Sequence, residues 1–330
     1  MGFETRDVER KVIAILKALN DSQRVLGARV IARQLKEQGV ELGERAVRYH
    51  LKLMDERGLT KLIGRDGRII TESGIEELNN ALVRDKVGFA ISRIELQAFQ
   101  TEFDIKKQTG LIPVNVSFFS ETNFLKALKI IRPAFKAGLC VSNLVAKAEQ
   151  NQMLGELIVP KGKVGLATVC SVIINGALLK AGIPMDSKFS GILQIKGNKP
   201  IRFIELIQYS GCSLDPSEVF IRAKMTKVRE VVESGDGRIL ATYREIPAPC
   251  QTPAREIITE LDSAGIGGLL IMGNVSDTVC EIPVELNRIG IIIVNGLNPI
   301  AAAVEAGIEV ENRGMSTVME YADLTKLEDL

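Results

Sequence analysis

The sequence predicts an α+β protein in two parts: a small head of three helices and a β-hairpin, and a larger body in which one α+β unit occurs twice. Three observations carry that expectation. Apolar residues recur at helical spacing from Val8 to Met54, an Asp-Gly pair separates two β-prone runs soon afterwards, and the rest of the chain repeats itself at an offset of about 125 residues. The 330 residues, 46% apolar and 25% charged, suit two or three ordinary folded domains. Disordered, collagenous and disulfide-stapled classes are excluded on the same ground.

The head begins with Val8, Val12, Ile15, Leu16 and Leu19, which share one face of a helix that Asn20-Asp21-Ser22 should stop. Val30, Ile31 and Leu35 repeat the pattern in a shorter helix closed by Gly39. A third helix lies between Gly43 and Gly58, with Val47, Leu51 and Met54 inward and Arg45, Arg48, Tyr49 and Lys52 on the other side. Two short strands around Arg65-Asp66-Gly67-Arg68 follow, with Asp-Gly as a type I′ hairpin signal. Three helices and a basic hairpin make a winged helix-turn-helix.

In such a head the third helix enters the DNA major groove, so Arg45, Arg48, Tyr49 and Lys52 are candidate DNA contacts, and Lys61, Arg65 and Arg68 candidate phosphate contacts. The plainer alternatives are a merely solvated charged face or a winged helix that binds protein. His50 falls on the Val47/Leu51/Met54 side, which favours a place at the core boundary over a DNA contact. Residues 1–86 hold 17 Lys plus Arg against 14 Asp plus Glu, out of 42 and 41 in the whole chain, so the net positive charge concentrates here.

In the body, Lys163-Val164-Gly165-Leu166 matches Arg288-Ile289-Gly290-Ile291, and Ala181-Gly182-Ile183 matches Ala306-Gly307-Ile308, both at an offset of 125. Ala137-Gly138-Leu139 matches Ala264-Gly265-Ile266 at 127. The spacing predicts strands at Val114–Phe118, Leu139–Leu144, Val164–Val169 and Phe189–Ile195 and helices at Asn123–Ala137 and Ile173–Ala181, then the same order again from about Ile239 to Tyr321. Ferredoxin-like halves follow as the local topology. The domain limits expected are 1–86 and 87–330, with repeats at about 110–200 and 236–322. The segment from Arg202 to Met225 joins the copies and is the natural place for something unsymmetric.

Two duplicated strand-to-helix turns, at Thr168-Val169-Cys170-Ser171 and Ile293-Val294-Asn295-Gly296-Leu297-Asn298, offer backbone N–H groups, hydroxyls and amides to a small anion. Ordinary capped turns are the plainer reading. Arg202, Arg222, Lys224 and Arg244 are among the cations that could serve such turns.

Other chemistry is restricted by composition. His50 is the sole histidine and five cysteines are scattered without a C-x-x-C pair, so triad hydrolases, zinc ribbons, multi-histidine metal sites and disulfide frameworks are not expected. Neither a P-loop nor a G-x-G-x-x-G turn occurs, and no enzyme activity or metal is expected. The longest uncharged runs fall short of a membrane span, and the start lacks an export signal, so a cytoplasmic protein is expected.

Several stretches together resemble the NrpR family, the nitrogen regulatory repressors of methanogenic archaea. They are Cys170-Ser171-Val172-Ile173-Ile174-Asn175-Gly176, Leu179-Lys180-Ala181-Gly182-Ile183-Pro184, Leu214-Asp215-Pro216-Ser217-Glu218-Val219-Phe220 and Asn295-Gly296-Leu297-Asn298-Pro299-Ile300. The head is similar to that family's winged helix in Gly43-Glu44-Arg45-Ala46-Val47-Arg48-Tyr49-His50-Leu51. The resemblance implies a homodimeric repressor of nitrogen-assimilation genes that binds a palindromic operator and leaves it when 2-oxoglutarate binds as allosteric effector. A regulator of the same build sensing an amino acid or another oxo-acid is the alternative. Many members carry two regulatory domains in tandem and this chain holds one, which implies a paralogue bearing the second as a possible partner. The dianionic effector suits Cys170, Ser171, Asn175, Asn295, Gly296 and Asn298, with Arg222 or Lys224 supplying charge.

Overall fold

The computed structural model describes residues 3–22, 24–37, 39–80 and 88–330. The chain divides into two compact units, Met1–Lys86 with Glu156–Ile158, and Val87–Gly155 with Val159–Leu330. The expected junction at 86/87, like the first two residues of the expected unsignalled start, lies outside the described residues. Among the described residues no helix is long and apolar enough to cross a membrane.

The head comprises α1 (Phe3–Ser22), α2 (Ala28–Glu37), α3 (Glu44–Glu56), the strands β1 (Thr60–Ile63) and β2 (Gly67–Ile70), and α4 (Glu72–Asn80). Ile15, Leu16 and Leu19 of α1, Ile31 and Leu35 of α2, and Val47, Leu51 and Met54 of α3 share one core, each fully buried side chain contributing roughly 1.5–3 kcal/mol. His50 is buried too. Asn20-Asp21-Ser22 does not stop α1 but forms its last turn, where Ser22 Oγ donates to Leu19 O. Gly58, at φ +72°, closes α3.

The wing departs from the expected turn. Ile63 pairs directly with Gly67, so the tip is Gly64-Arg65-Asp66 and not Asp66-Gly67. Gly67 instead lets the hairpin meet the chain between α1 and α2, for a Cβ there would lie 2.2 Å from Leu26 O. Leu26 and Arg68 then exchange backbone hydrogen bonds at 2.9 and 3.0 Å.

After the head the chain runs α5 (Phe89–Gln100), β3 (Leu111–Ser120), α6 (Glu121–Lys136), β4 (Leu144–Ala148), the short β5 (Met153–Leu154), the short β6 (Leu157–Ile158) that groups with the first unit, β7 (Lys163–Val169), α7 (Val172–Lys180), β8 (Asp186–Lys196) and β9 (Lys199–Gln208). Then come α8 (Pro216–Arg222), α9 (Val228–Ser234), β10 (Gly237–Pro247), α10 (Gln251–Ser263), β11 (Leu269–Val275), β12 (Arg288–Val294), α11 (Asn298–Glu305), β13 (Val310–Glu320) and β14 (Thr325–Lys326). The strand expected at Leu139–Leu144 begins only at Leu144. Gly138, at φ +69°, ends α6, and the chain then makes a buried turn in which Ser142 Oγ donates to Gly265 O.

The sheets are ordered β13-β3-β7-β4-β14 and β11-β12-β10-β8-β9, with every pairing antiparallel. Each contains the ferredoxin-like order fourth-first-third-second strand, but the fourth strand is exchanged. The first copy's β8 completes the second copy's sheet beside β10, and the second copy's β13 completes the first copy's sheet beside β3. The helices α7 and α11 therefore cross from one sheet to the other, which brings the two duplicated turns to the middle of the body.

Candidate nucleic-acid interface and effector site

On α3 the burial of Val47, Leu51 and Met54 turns Arg45, Arg48, Tyr49 and Lys52 to the exposed side, and the Tyr49 ring is 62% exposed. Arg45, Lys52, Lys61 and Arg65 are exposed and form no ion pair among the described residues. Arg48 is paired with Glu44 one turn before it, an exposed contact worth roughly 0.3–0.5 kcal/mol, which a phosphate can displace. Arg68 behaves differently. Its Nε donates to Asp55 Oδ2 at 2.7 Å, and Asp55 also accepts from Thr60 Oγ1 at 2.6 Å, so this arginine fastens the wing to α3. It positions the cations around it rather than facing solvent as they do.

In the body, the structure brings together Cys170, Ser171, Asn175 and Asn295. Cys170 and Ser171 link β7 to α7, Asn175 lies in the first turn of α7, and Asn295 follows β12, all of them buried. The charge among them comes from Arg244 on β10, 1% exposed. Its Nη2 donates to Ser171 Oγ at 2.7 Å, and its Nη1 donates to Ser171 O at 2.9 Å and to Asn175 Oδ1. Asn175 Nδ2 donates in turn to Ser187 Oγ on β8 at 3.1 Å. No carboxylate pairs with Arg244 among the described residues, its Nε has no acceptor, and burial lowers its pKa. An uncompensated buried guanidinium is costly unless an anion joins it.

The joint between the copies adds the unsymmetric part. Asn295 Nδ2 donates to Ser217 Oγ at 2.7 Å, and Ser217 and Ser190 hydroxyls lie 3.2 Å apart. Asp215 caps α8 by accepting from Ser217 N at 2.9 Å, while burial raises its pKa. Glu218 accepts from Gly314 N at 2.8 Å; burial, with Asp215 close by, pushes its pKa up to about 7. Burial also raises Tyr209 and pushes the Cys170 thiol up to about 12, so Cys170 is a packed thiol, not a nucleophile.

Four sequence candidates stand elsewhere or serve the fold. Arg222 and Lys224 are exposed, Arg222 lying 3.8 Å from Glu218, and neither enters the buried cluster. Asn298 is fully engaged with backbone: Oδ1 accepts from Leu240 N at 2.7 Å, and Nδ2 donates to Leu240 O and Asn295 O. Gly296 packs on the first copy's strand, where a Cβ would lie 2.2 Å from Val169 O and 3.0 Å from Asn115 Nδ2. Beside it, Asn115 Nδ2 and Thr168 Oγ1 are buried without partners among the described residues. With Arg244 Nε, that leaves three unused hydrogen-bonding groups around the duplicated turns, each able to donate to an anionic oxygen.

Sequence reasoning counted Arg244 only among the available cations. The signal that singles it out is its place in Leu240-Ala241-Thr242-Tyr243-Arg244-Glu245-Ile246, a strand otherwise suited to burial on both faces. Its counterpart in the first copy, by the repeat offset of 127, is Ser117, so just one of the two related turns receives a guanidinium. Among the described residues no group of three His, Cys, Asp or Glu side chains is arranged to hold a metal ion.

Residues 87–326 match the model of NrpR regulatory domains NRD1 and 2, and residues 13–78 match that of the ribonuclease R winged-helix domain. The chain is 40% identical over 320 residues to the global nitrogen regulator NrpRI of Methanosarcina mazei, covering 97% of this chain and 98% of that protein. It is 32% identical to the global nitrogen regulator NrpR of Methanocaldococcus jannaschii, of whose longer chain it spans 56%. A crystal structure of a nitrogen repressor-like protein from Methanococcus jannaschii superposes with a TM-score of 0.61 and 26% identity, over 72% of this chain and 98% of that one.

Proposed function

The chain belongs to the NrpR family of transcriptional regulators, and we propose that it represses nitrogen-assimilation genes by binding a palindromic operator as a homodimer and leaves the DNA when 2-oxoglutarate binds between its two internal copies. The observation that carries the sensing is Arg244, a buried cation without a counter-ion among the described residues, held by Ser171 and Asn175 of the opposite copy. A dicarboxylate supplies the missing charge, and Asn115 and Thr168 offer further donors.

Repression rests on the exposed Arg45, Tyr49 and Lys52 of α3, with Lys61 and Arg65 gripping the flanking backbone. A two-fold dimer presents two such helices about 34 Å apart, one turn of B-DNA. The effector acts by preferring one of two arrangements of the copies. A coupling of about 1–3 kcal/mol already changes operator affinity about 5- to 150-fold. A separate chain carrying a second regulatory domain is one further partner, since two relatives run on well beyond the part that this chain matches.

The test is binding of the full chain to DNA upstream of nitrogen-assimilation genes, followed by fluorescence anisotropy with and without 2-oxoglutarate, alongside light scattering for its mass. Salt-sensitive binding to an inverted repeat, weakened by 2-oxoglutarate, is expected. Equal binding in both conditions refutes the sensing; release by a different small acid transfers the site to that ligand.

A further inference from the structure

We propose that the body holds a second ligand site, separate from the Arg244 cluster, that takes a ring-bearing polyanion of the nucleoside-phosphate class. A cavity of about 730 Å³ opens between the last turns of α6 and α10 and the chain around β14. Its volume lies in the range of about 300–1,000 Å³ that encloses whole cofactors and drug-sized ligands. A five-carbon diacid would leave most of it to water.

The charges in its wall do not cancel. Arg132, Lys136 and Lys326 face it against one carboxylate, Glu328, and none of the four forms an ion pair among the described residues. Arg132 Nε is buried from solvent and has no acceptor among the described residues. The two helix C-termini contribute roughly −0.5 charge each. Three cations therefore still leave about one net positive charge, and a buried guanidinium donor asks for an anionic oxygen. Tyr321 and Phe135 supply aromatic wall, and the Tyr321 ring is itself steadied by Phe103, with centroids 4.9 Å apart. Phosphate-binding cations beside aromatic rings form the chemistry of a nucleotide site.

The cavity also lies where the copies meet. Ala137-Gly138 and Ala264-Gly265 are repeat equivalents, Ser142 Oγ donates to Gly265 O at 2.6 Å, and Gly267 N donates to Val141 O at 2.8 Å. A ligand seated here touches both copies at once, so its binding is expected to depend on how they are arranged.

Isothermal titration of the full chain with ATP tests this, with adenosine, tripolyphosphate and 2-oxoglutarate as separate arms. Saturable ATP binding is expected, tighter than that of either fragment. Lys326→Gln, on an exposed side chain, and Arg132→Gln should each weaken it at least tenfold, and 2-oxoglutarate affinity measured without ATP should be the same in both variants as in the unaltered chain. The absence of saturable ATP binding, tripolyphosphate binding as tight as ATP, or ATP affinity indifferent to Arg132→Gln and Lys326→Gln overturns the proposal. So does an equal loss of 2-oxoglutarate binding in both variants.

Discussion

Arg244 and Ser171 lie 73 residues apart in sequence and on different internal copies, yet the guanidinium reaches both the hydroxyl and the carbonyl of the serine, at 2.7 and 2.9 Å. This contact joins the end of β7 to the middle of β10 and buries a positive charge at the junction.

Arg244→Met is expected to abolish the 2-oxoglutarate response and spare the DNA affinity of the ligand-free protein. Hydrogen bonds to a charged group are worth about 1.5–3 kcal/mol, so effector affinity should fall by roughly 10- to 150-fold. Because an apolar side chain removes a desolvated charge, the melting temperature without effector should not drop. A variant that melts early and keeps its effector affinity contradicts the assignment.

Replacing Arg45, Lys52, Lys61 or Arg65 by Ala should separate base reading from backbone grip. Each lost phosphate contact lowers the slope of log K against log salt by about 0.9 and weakens all sequences alike. Loss of a base-reading residue instead relaxes the preference for the operator over random DNA. Arg68→Ala should act indirectly, by freeing the wing from Asp55, and Asp55→Ala should reproduce its effect. Anisotropy titrations at several salt concentrations read all three outcomes.

Glu218 gives the body a pH-dependent stability. Its folded pKa, near 7, exceeds that of an unfolded glutamate, so the native state holds the extra proton between those values. Stability therefore falls as pH rises from about 4.5 through 7. Asp215 shifts in the same direction, while Arg93 and Arg222 oppose the effect on Glu218. Glu218→Gln keeps an acceptor for Gly314 N and should flatten the decline in melting temperature between pH 5 and 8. An undiminished decline in the variant rules Glu218 out as its source.

Gly296→Ala forces a methyl group against Val169 O, a backbone atom that cannot rotate away. A cost of at least about 1–3 kcal/mol is expected from such overpacking. Gly67→Ala meets Leu26 O in the same way but in the head, so it should impair DNA binding and leave effector titrations intact. Differential scanning calorimetry beside both binding assays distinguishes the two.

Local patterning carried most of the fold. Val47, Leu51 and Met54 at helical spacing defined the inner face of α3, and the repeat between Val164 and Ile289 announced the duplicated body. The Asp66-Gly67 pair has the composition of a turn, yet the constraint on Gly67 is a close approach by Leu26, a residue far away in sequence. The strand exchange left no mark either, since alternation in β8 and β13 specifies which side chains are buried and not which sheet the strand joins. Arg222 and Lys224 are cations in the joint between the copies, whereas the cation that reaches the polar turns sits inside an apolar strand whose depth appears only once both sheets are assembled.

The exchanged strands set the order in which this molecule can be finished. Asn115 and Met315, joined across β3 and β13, are separated by 200 residues, so during synthesis the outer edge of β3 stays open until β13 has emerged. At about 5–20 residues per second this exposure lasts roughly 10–40 s, a long interval for an unpaired, apolar strand. Truncating the gene between the repeats is thus expected to yield insoluble protein rather than a working half.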